Sequence, residues 1–376
     1  MATERIAFVL QGGGALGAYQ AGAIEALAAR GHHCDMVAGV SIGAINAALV
    51  CGNPPERRVG RLREFWEGVS RWFPIPPVPP RAARRVYDGG AVAWAMSFGI
   101  PGFFRPRWPW PPPLGAAALG LYDTAPLRDR LLELVDFDYL NTKGPRLCVQ
   151  AVDLEAGDMT VFDSAATSIG PEHVMASGAL PPGLPPVKID GRLYWDGGIV
   201  SNTPLKWVME TADEQPMLVF QIDLFPAEGQ IPASVSGLGH REKEIRFSSR
   251  TRTTTDRYRQ LHAIQAAADR LAAKLPEGLA NDPDLAILRN SGPRCPVSLV
   301  HLIYRKRAWE DASLDAEFSR LSMSEHWARG AADMAETLGH ADWLARDPTR
   351  DGLQIFDLAN RCVQAGPTED AENHCV

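Results

Sequence analysis

Three short stretches of this chain hold residue types and spacings that could do chemistry. The first, "FVLQGGGALGAYQAG" (residues 8–22), carries Gly12, Gly14 and Gly17 in the spacing G-x-G-x-x-G, after an apolar run and before a helix-forming one. Such a loop can cradle a dinucleotide pyrophosphate on its backbone N–H groups, or present them to a different anion. The second, Gly39-Val40-Ser41-Ile42-Gly43, is G-x-S-x-G between the apolar strand "DMVAGV" and the apolar helix "SIGAINAALVCG". That context lifts a serine onto a tight, strained turn where its hydroxyl can act as a nucleophile. The third, Asp196-Gly197-Gly198, places a carboxylate in a glycine turn at the end of the short strand "RLYW".

The dinucleotide reading requires an acidic residue at the tip of the second strand, to hold the ribose hydroxyls. Asp35 precedes that strand, and Ser41 occupies the tip instead. Parallel strands separated by one helix are commonly neighbours, which brings the loop after the first beside the tip of the second. Gly12, Gly13 and Gly14 would then offer N–H groups next to Ser41. Acyl transfer builds an oxyanion there, and one such donor is worth about 3–4 kcal/mol. A serine also needs a base. None of the nine histidines sits in a recognisable signature. Asp196 stands out instead, although D-G-G on its own also reads as an Asx-type turn.

These stretches need a sheet to position them. Residues 5–10 are nearly all apolar, as in a strand buried on both faces. A helix follows, with Ala21, Ile24, Leu27 and Ala28 on one stripe, and ends at Gly31. Strand–helix–strand–helix within fifty residues implies a parallel α/β sheet. A third helix, 57–70, is amphipathic, with Leu62, Phe65, Trp66 and Val69 at i, i+3, i+4 and i+7. Residues 72–113 hold eleven prolines and four tryptophans and are expected to form little regular structure. Order resumes at "LYDTAPLRDRLLELV", a helix capped by Asp123 or Thr124. "PRLCVQAVDL", "MTVFDS" and "MLVFQIDLF" read as strands. They are followed by a helix over roughly 241–275, the strand "PVSLVHLIY", a helix over roughly 314–339 and a polar end expected to fray.

Composition narrows the class. The chain has 376 residues, 45% hydrophobic and 22% charged, which is ordinary for a globular protein. A net charge of −7 argues against nucleic acid as a partner. No apolar stretch reaches the ~18 residues of a membrane span, and the first residues lack the basic start of a signal peptide. The six cysteines show no C-x-x-C and no metal-ligand spacing, so they are expected as free thiols in a reducing, cytoplasmic setting, with no metal and no cofactor.

Together the three motifs resemble those of the patatin-like phospholipase family. "GGGALG" is similar to its oxyanion motif, "GVSIG" to its nucleophile elbow and "DGG" to its aspartate motif, in the family's order. "LYDTAPL" and "ASGALPPGLPPVKIDGRLYWDGGIVSNTPL" extend the likeness over about residues 6–210. The resemblance implies a three-layer α/β fold with a central, mostly parallel sheet. It implies a catalytic dyad of Ser41 and Asp196 without histidine, an oxyanion hole at Gly12, Gly13 and Gly14, and motif glycines at Gly17, Gly39, Gly43, Gly197 and Gly198. It divides the chain into a catalytic domain (6–210, with a Pro/Trp/Arg-rich insertion at about 72–120), a C-terminal α/β extension (211–363) and a disordered tail (364–376). The implied activity is hydrolysis of lipid esters. Short-chain or hydroxyacid oligoesters, and lipid binding without catalysis, stay open as alternatives.

Residues 57–107 carry ten arginines against Glu64, Glu67 and Asp88, a local balance of +7, and Trp66, Trp72, Trp94, Trp108 and Trp110 lie in or beside the same region. Indole favours a membrane interface and guanidinium pairs with phosphate, so residues 57–113 are a candidate for peripheral contact with the inner membrane surface. A proline-stiffened insertion packed on the domain, or a protein-partner site, would account for the same composition.

Overall fold

The computed structural model describes residues 4–70, 81–107, 119–212, 215–229, 231–232, 235–276, 282–292, 295–305, 314–350 and 352–358. The N-terminal half runs β1 (Arg5–Leu10), α1 (Gly17–Ala29), β2 (Met36–Gly39), α2 (Ile42–Cys51), α3 (Pro55–Val69), α4 (Arg81–Phe98), β3 (Arg105–Pro106), β4 (Tyr122–Asp123), α5 (Ala125–Leu134), α6 (Phe137–Thr142) and β5 (Arg146–Asp153). It continues with β6 (Met159–Asp163), α7 (Pro171–Ser177), β7 (Val187–Ile189), β8 (Arg192–Asp196), α8 (Leu205–Glu210) and β9 (Met217–Asp223). The last third holds α9 (Val235–Ala272), α10 (Pro283–Arg289), β10 (Val297–Ile303), α11 (Arg320–Gly339), α12 (Ala341–Leu344) and β11 (Leu353–Phe356).

Nine strands among the described residues form one sheet, ordered β11-β10-β9-β1-β2-β5-β8-β7, with β6 also on β5. From β11 to β5 every pairing along this path is parallel; β6, β7 and β8 add an antiparallel margin. The sheet is buried on both faces, and β1 shows why its strands read as continuous apolar runs. Phe8 and Leu10 enter one core with Ile24, Ile45, Trp327 and Met334, while Ala7 and Val9 enter the other with Leu205, Val208 and Tyr258. The result is the three-layer α/β arrangement expected from the motifs.

The C-terminal third continues this sheet: β9 lies between β1 and β10. Its helix α11 crosses α1 on bare backbone. A Cβ at Gly22 would fall inside contact of the Trp327 carbonyl, and one at Gly330 inside contact of the Tyr19 carbonyl. Polar tips seal the crossing, with Tyr19 Oη donating to Asp333 at 2.7 Å and Trp327 Nε1 to Glu25 at 2.6 Å. Gly330→Val is expected to force the helices apart at a cost of about 2–3 kcal/mol, lowering Tm by several degrees. A melting curve checks this, and an unchanged Tm would refute so close a crossing.

Two expectations need correction. The proline-rich region contains an 18-residue helix, α4. No proline occurs between Pro80 and Pro101, and the intervening Ala- and Arg-rich segment is free to be helical. Trp66 is no interfacial residue. It is 1% exposed and donates from Nε1 to Asn46 at 3.0 Å, as its place on the apolar stripe of α3 requires. Trp72, Trp108, Trp110 and the tail 364–376 lie outside the described residues. Cys34, Cys51, Cys148 and Cys295 are buried and form no disulfide. Among the described residues, no helix is long and apolar enough to cross a membrane.

Candidate active site

The register of β5 brings Ser41 and Asp196 together. β2 pairs with β5 as far as Gly39 opposite Val149, and β8 ends on the same strand with Asp196 opposite Ala151. The turn after β2 and the end of β8 therefore meet two rungs apart, although 155 positions separate the two side chains in sequence.

Ser41 is the residue between β2 and α2, with φ 55° and ψ −123°. A positive φ on a residue with a Cβ is strained and persists only where its surroundings over-determine it. Here they do. A Cβ at Gly39 would strike the Gly43 carbonyl and one at Gly43 the Leu10 carbonyl, so only glycines allow the elbow to fold this tightly. The Ser41 N–H is held by Ser177 Oγ at 2.9 Å, and that hydroxyl donates to the Gln150 carbonyl at 2.7 Å. The side chain is left at the start of α2, whose N-terminal dipole favours negative charge.

Asp196 is 3% exposed. Its carboxylate accepts from the Gly198 N–H at 2.7 Å, its charged form is further stabilised by the Ser41 side chain, and its own N–H donates to the Ala179 carbonyl at 3.1 Å. Burial pushes its pKa up to about 6, against the opposing pull of the hydrogen bonds from Ser41 and Gly198. Gly197 allows the turn to pass the Gln150 carbonyl, which a Cβ would approach to 2.5 Å. Among the described residues no histidine is hydrogen-bonded to either member of the pair. His173 accepts from the Gly170 N–H, and His301 lies against Asp223.

The three glycines of the first loop differ in their surroundings. Gly12 is packed against the pair, where a Cβ would lie 3.0 Å from that of Ser41 and collide with Asn202 Oδ1. Its N–H donates to the Asn202 carbonyl at 3.3 Å, and its carbonyl accepts from Asn202 Nδ2 at 2.9 Å. The Gly12 N–H is thus already engaged, whereas those of Gly13 and Gly14 have no acceptor among the described residues. Gly17 packs against Ile42 and Trp66, joining the loop to the start of α2.

Buried amides hold this loop. Gln11 Oε1 accepts from the N–H groups of Leu224 (2.6 Å) and Phe225 (2.9 Å), and its Nε2 donates to Thr203 Oγ1 (3.0 Å) and the Phe247 carbonyl (3.2 Å). Gln20 donates to the Gln11 carbonyl at 2.7 Å, Asn46 to Gln20, and Trp66 to Asn46. A satisfied buried network of this kind fixes one geometry. None of Gln11, Ser177 or Asn202 was singled out from the motifs. Their signal was available for Gln11, Gln20 and Asn46: lone amides in otherwise apolar segments. Asn202→Ala is expected to lower kcat by tenfold or more with little change in KM, since it removes the side-chain bond that holds the Gly12 carbonyl and leaves the longer backbone bond alone to join the glycine loop to the aspartate turn. Steady-state kinetics on a soluble ester check this; an unchanged kcat would remove Asn202 from the site's support.

The site thus holds a strained serine at a strand–helix turn, a buried carboxylate whose charged form that serine stabilises, and a glycine loop with unengaged backbone N–H groups. Among the described residues no group of three His, Cys, Asp or Glu side chains could hold a metal ion. The sequence model of the family described as patatin-like phospholipase matches residues 8–208, and one described as patatin phospholipase matches residues 245–350. The chain belongs to the patatin-like phospholipase family. It is similar to a patatin-like phospholipase domain-containing protein of Caenorhabditis elegans, at 46% identity over 61 residues (16% of this chain, 6% of that one). It is also similar to neuropathy target esterase sws of Drosophila melanogaster, at 42% over 72 residues (18% and 5%). The matches thus span a small part of these relatives' length. Among solved structures, VipD of Legionella pneumophila is 15% identical with a TM-score of 0.39, covering 89% of this chain and 66% of that one. Human group IVD cytosolic phospholipase A2 is 13% identical with a TM-score of 0.40, covering 91% and 59%.

Proposed function

We propose that this protein hydrolyses lipid esters through a dyad of Ser41 and Asp196. The observation that carries the reading is a buried carboxylate, its pKa raised to about 6, whose charged form is stabilised by the side chain of a strained serine at a strand–helix turn. Family membership supports the lipid ester as substrate. Asp196 takes the hydroxyl proton as Ser41 Oγ attacks the ester carbonyl carbon. The oxyanion then faces the N–H groups of Gly13 and Gly14 and the start of α2. Collapse of the tetrahedral intermediate expels the alcohol, which receives the proton from Asp196. Water, deprotonated by the same carboxylate, attacks the acyl-enzyme carbonyl; the bond to Ser41 Oγ breaks, Oγ takes the proton back from Asp196, and the fatty acid leaves.

The setting belongs to the proposal. Val86, Met96 and Phe98 on α4 are exposed and support peripheral contact with a membrane surface from the cytoplasmic side. The test is hydrolysis of phospholipid vesicles and of soluble esters of graded chain length, with Ser41→Ala as the control. Activity on short soluble esters alone would overturn the lipid assignment. Because the base must be ionised, kcat/KM on a soluble ester is expected to fall about tenfold per pH unit below about 6 and to level off above it. A pH–rate profile that is flat down to pH ~4.5 would rule out a base with so raised a pKa.

A further inference from the structure

We propose that Arg107 receives the phosphate of a lipid substrate, with Leu119, Leu121 and Leu180 beside it taking the apolar portion; this rests on the acyl-hydrolase reading above. Four arginines of the cationic region are tied to groups on neighbouring elements or on their own helix. Arg58 donates to the Asn53 carbonyl, Arg61 pairs with Glu64, Arg63 with Glu25, and Arg84 with Asp88 and Glu325. Arg107 differs. It follows β3 within the β3–β4 hairpin, in which Arg105 is opposite Asp123 and Pro106 opposite Tyr122. Its Nε donates to the Tyr122 carbonyl at 2.8 Å, while its buried Nη1 has no acceptor among the described residues.

Asp123 does not supply one. It pairs with Arg105 at 2.8 Å and accepts from the Ala125 N–H at 2.9 Å. Two guanidinium groups thus share the hairpin with one carboxylate that is already engaged. A guanidinium with a buried N–H group left without an acceptor is costly, and a planar fork of N–H donors suits a phosphate.

The hairpin is fastened to the wall of the dyad. The N–H groups of Leu121 and Tyr122 both donate to the Gly183 carbonyl, at 2.9 and 3.0 Å. Gly183 belongs to the segment that starts at Gly178, where a Cβ would lie 4.0 Å from Ser41 Cα, and whose Ala179 carbonyl accepts the Asp196 N–H. On this wall Leu119 (52%), Leu121 (63%) and Leu180 (43%) are exposed. Leucines kept in water beside an unsatisfied cation fit a molecule with a phosphate at one end and hydrocarbon at the other.

The test compares 1-lauroyl lysophosphatidate with monolaurin, which differ only by the phosphate. The ratio of kcat/KM for the two esters is expected to fall at least tenfold in Arg107→Gln and to stay within about threefold of wild type in Arg107→Lys. An unchanged ratio in Arg107→Gln would overturn the proposal. So would an equal loss on both esters, the mark of a displaced hairpin. Binding to the Ser41→Ala protein, measured by calorimetry, separates the subsite from the chemistry. Lysophosphatidate is expected to bind more tightly than monolaurin and than inorganic phosphate, and to lose that margin on Arg107→Gln. Inorganic phosphate binding as tightly as the lysolipid would make this a free-phosphate site instead. If the wild type hydrolyses neither ester, the acyl-hydrolase reading fails while the binding measurements still decide the subsite.

Discussion

Asp196→Asn is expected to abolish ester hydrolysis, by about a thousandfold or more, and at the same time to raise thermal stability at pH 8. The loss follows from the proton the amide cannot accept. Ser41→Ala should match it, and the double variant should be little worse than either, because the two groups act as one unit. The gain in stability follows from burial. The carboxyl group titrates at about 6 in the folded protein against a reference of 3.8, so between about pH 4 and 6 the native state holds more of the proton than the unfolded chain. Stability contributed by this group therefore falls as pH rises through that window and stays at its lower level above it. About two pKa units at 1.36 kcal/mol each make the ionised carboxylate a burden of about 3 kcal/mol at neutral pH. Asparagine keeps the shape and carries no charge. Melting curves at pH 8 and pH 4 check the sign: the variant should melt higher than wild type at pH 8, and the advantage should vanish by pH 4. A variant equally destabilised at both pH values would show that desolvation does not govern this group. Retention of a tenth of wild-type turnover would show that another base, one of the histidines, does the work.

How much of this was legible in the sequence depended on how far apart the participants lie. The motifs "GGGALG", "GVSIG" and "DGG" could be read because each is a local demand on backbone shape: a glycine where a Cβ would meet another main chain, and a serine or aspartate at the turn. The parallel sheet was legible because its strands are apolar on both faces, as β1 and β9 are. Helix α4 was obscured by averaging composition over a window whose prolines all lie at its margins. The chemistry of Trp66 points to a surface and its spacing to a core, and the spacing prevails because the apolar stripe of α3 packs into the core beside α2. The network around the site was illegible for a different reason. Gln11 meets Thr203 and Asn202 meets Gly12 across about 190 positions, and nothing local says which buried amide will find which carbonyl. The engagement of the Gly12 N–H by Asn202 is the same kind of fact, and only a folded chain reveals it.

The C-terminal third bears on the chemistry through the same loop, and Gly14→Ala is the substitution that exposes it. Gly14 has φ +55°, and a Cβ there would fall inside contact of the Asp315 carbonyl, so the glycine loop lies directly on the segment before α11. That segment cannot easily give way. Lys243 of α9 holds Asp315 at 2.8 Å, and Phe318 stacks on Trp66 with ring centroids 6.4 Å apart. The loop is held from behind as well, through Trp66, Asn46, Gln20 and Gln11. A methyl group added at Gly14 must therefore move the loop itself, carrying the Gly13 and Gly14 N–H groups away from the position proposed for the oxyanion. Turnover on a soluble ester is expected to fall about a hundredfold, with a stability loss of only about 1–3 kcal/mol. Gly31→Ala supplies the comparison: its φ is +77° and nothing lies within 4 Å of the added methyl, so it carries the backbone strain without the collision. It is expected to cost about 1 kcal/mol of stability and to leave turnover at the wild-type level. Steady-state kinetics and melting curves on the two variants separate strain from displacement. A folded Gly14→Ala protein with wild-type turnover would remove both the oxyanion role of this loop and the part that residues 314–318 play in holding it.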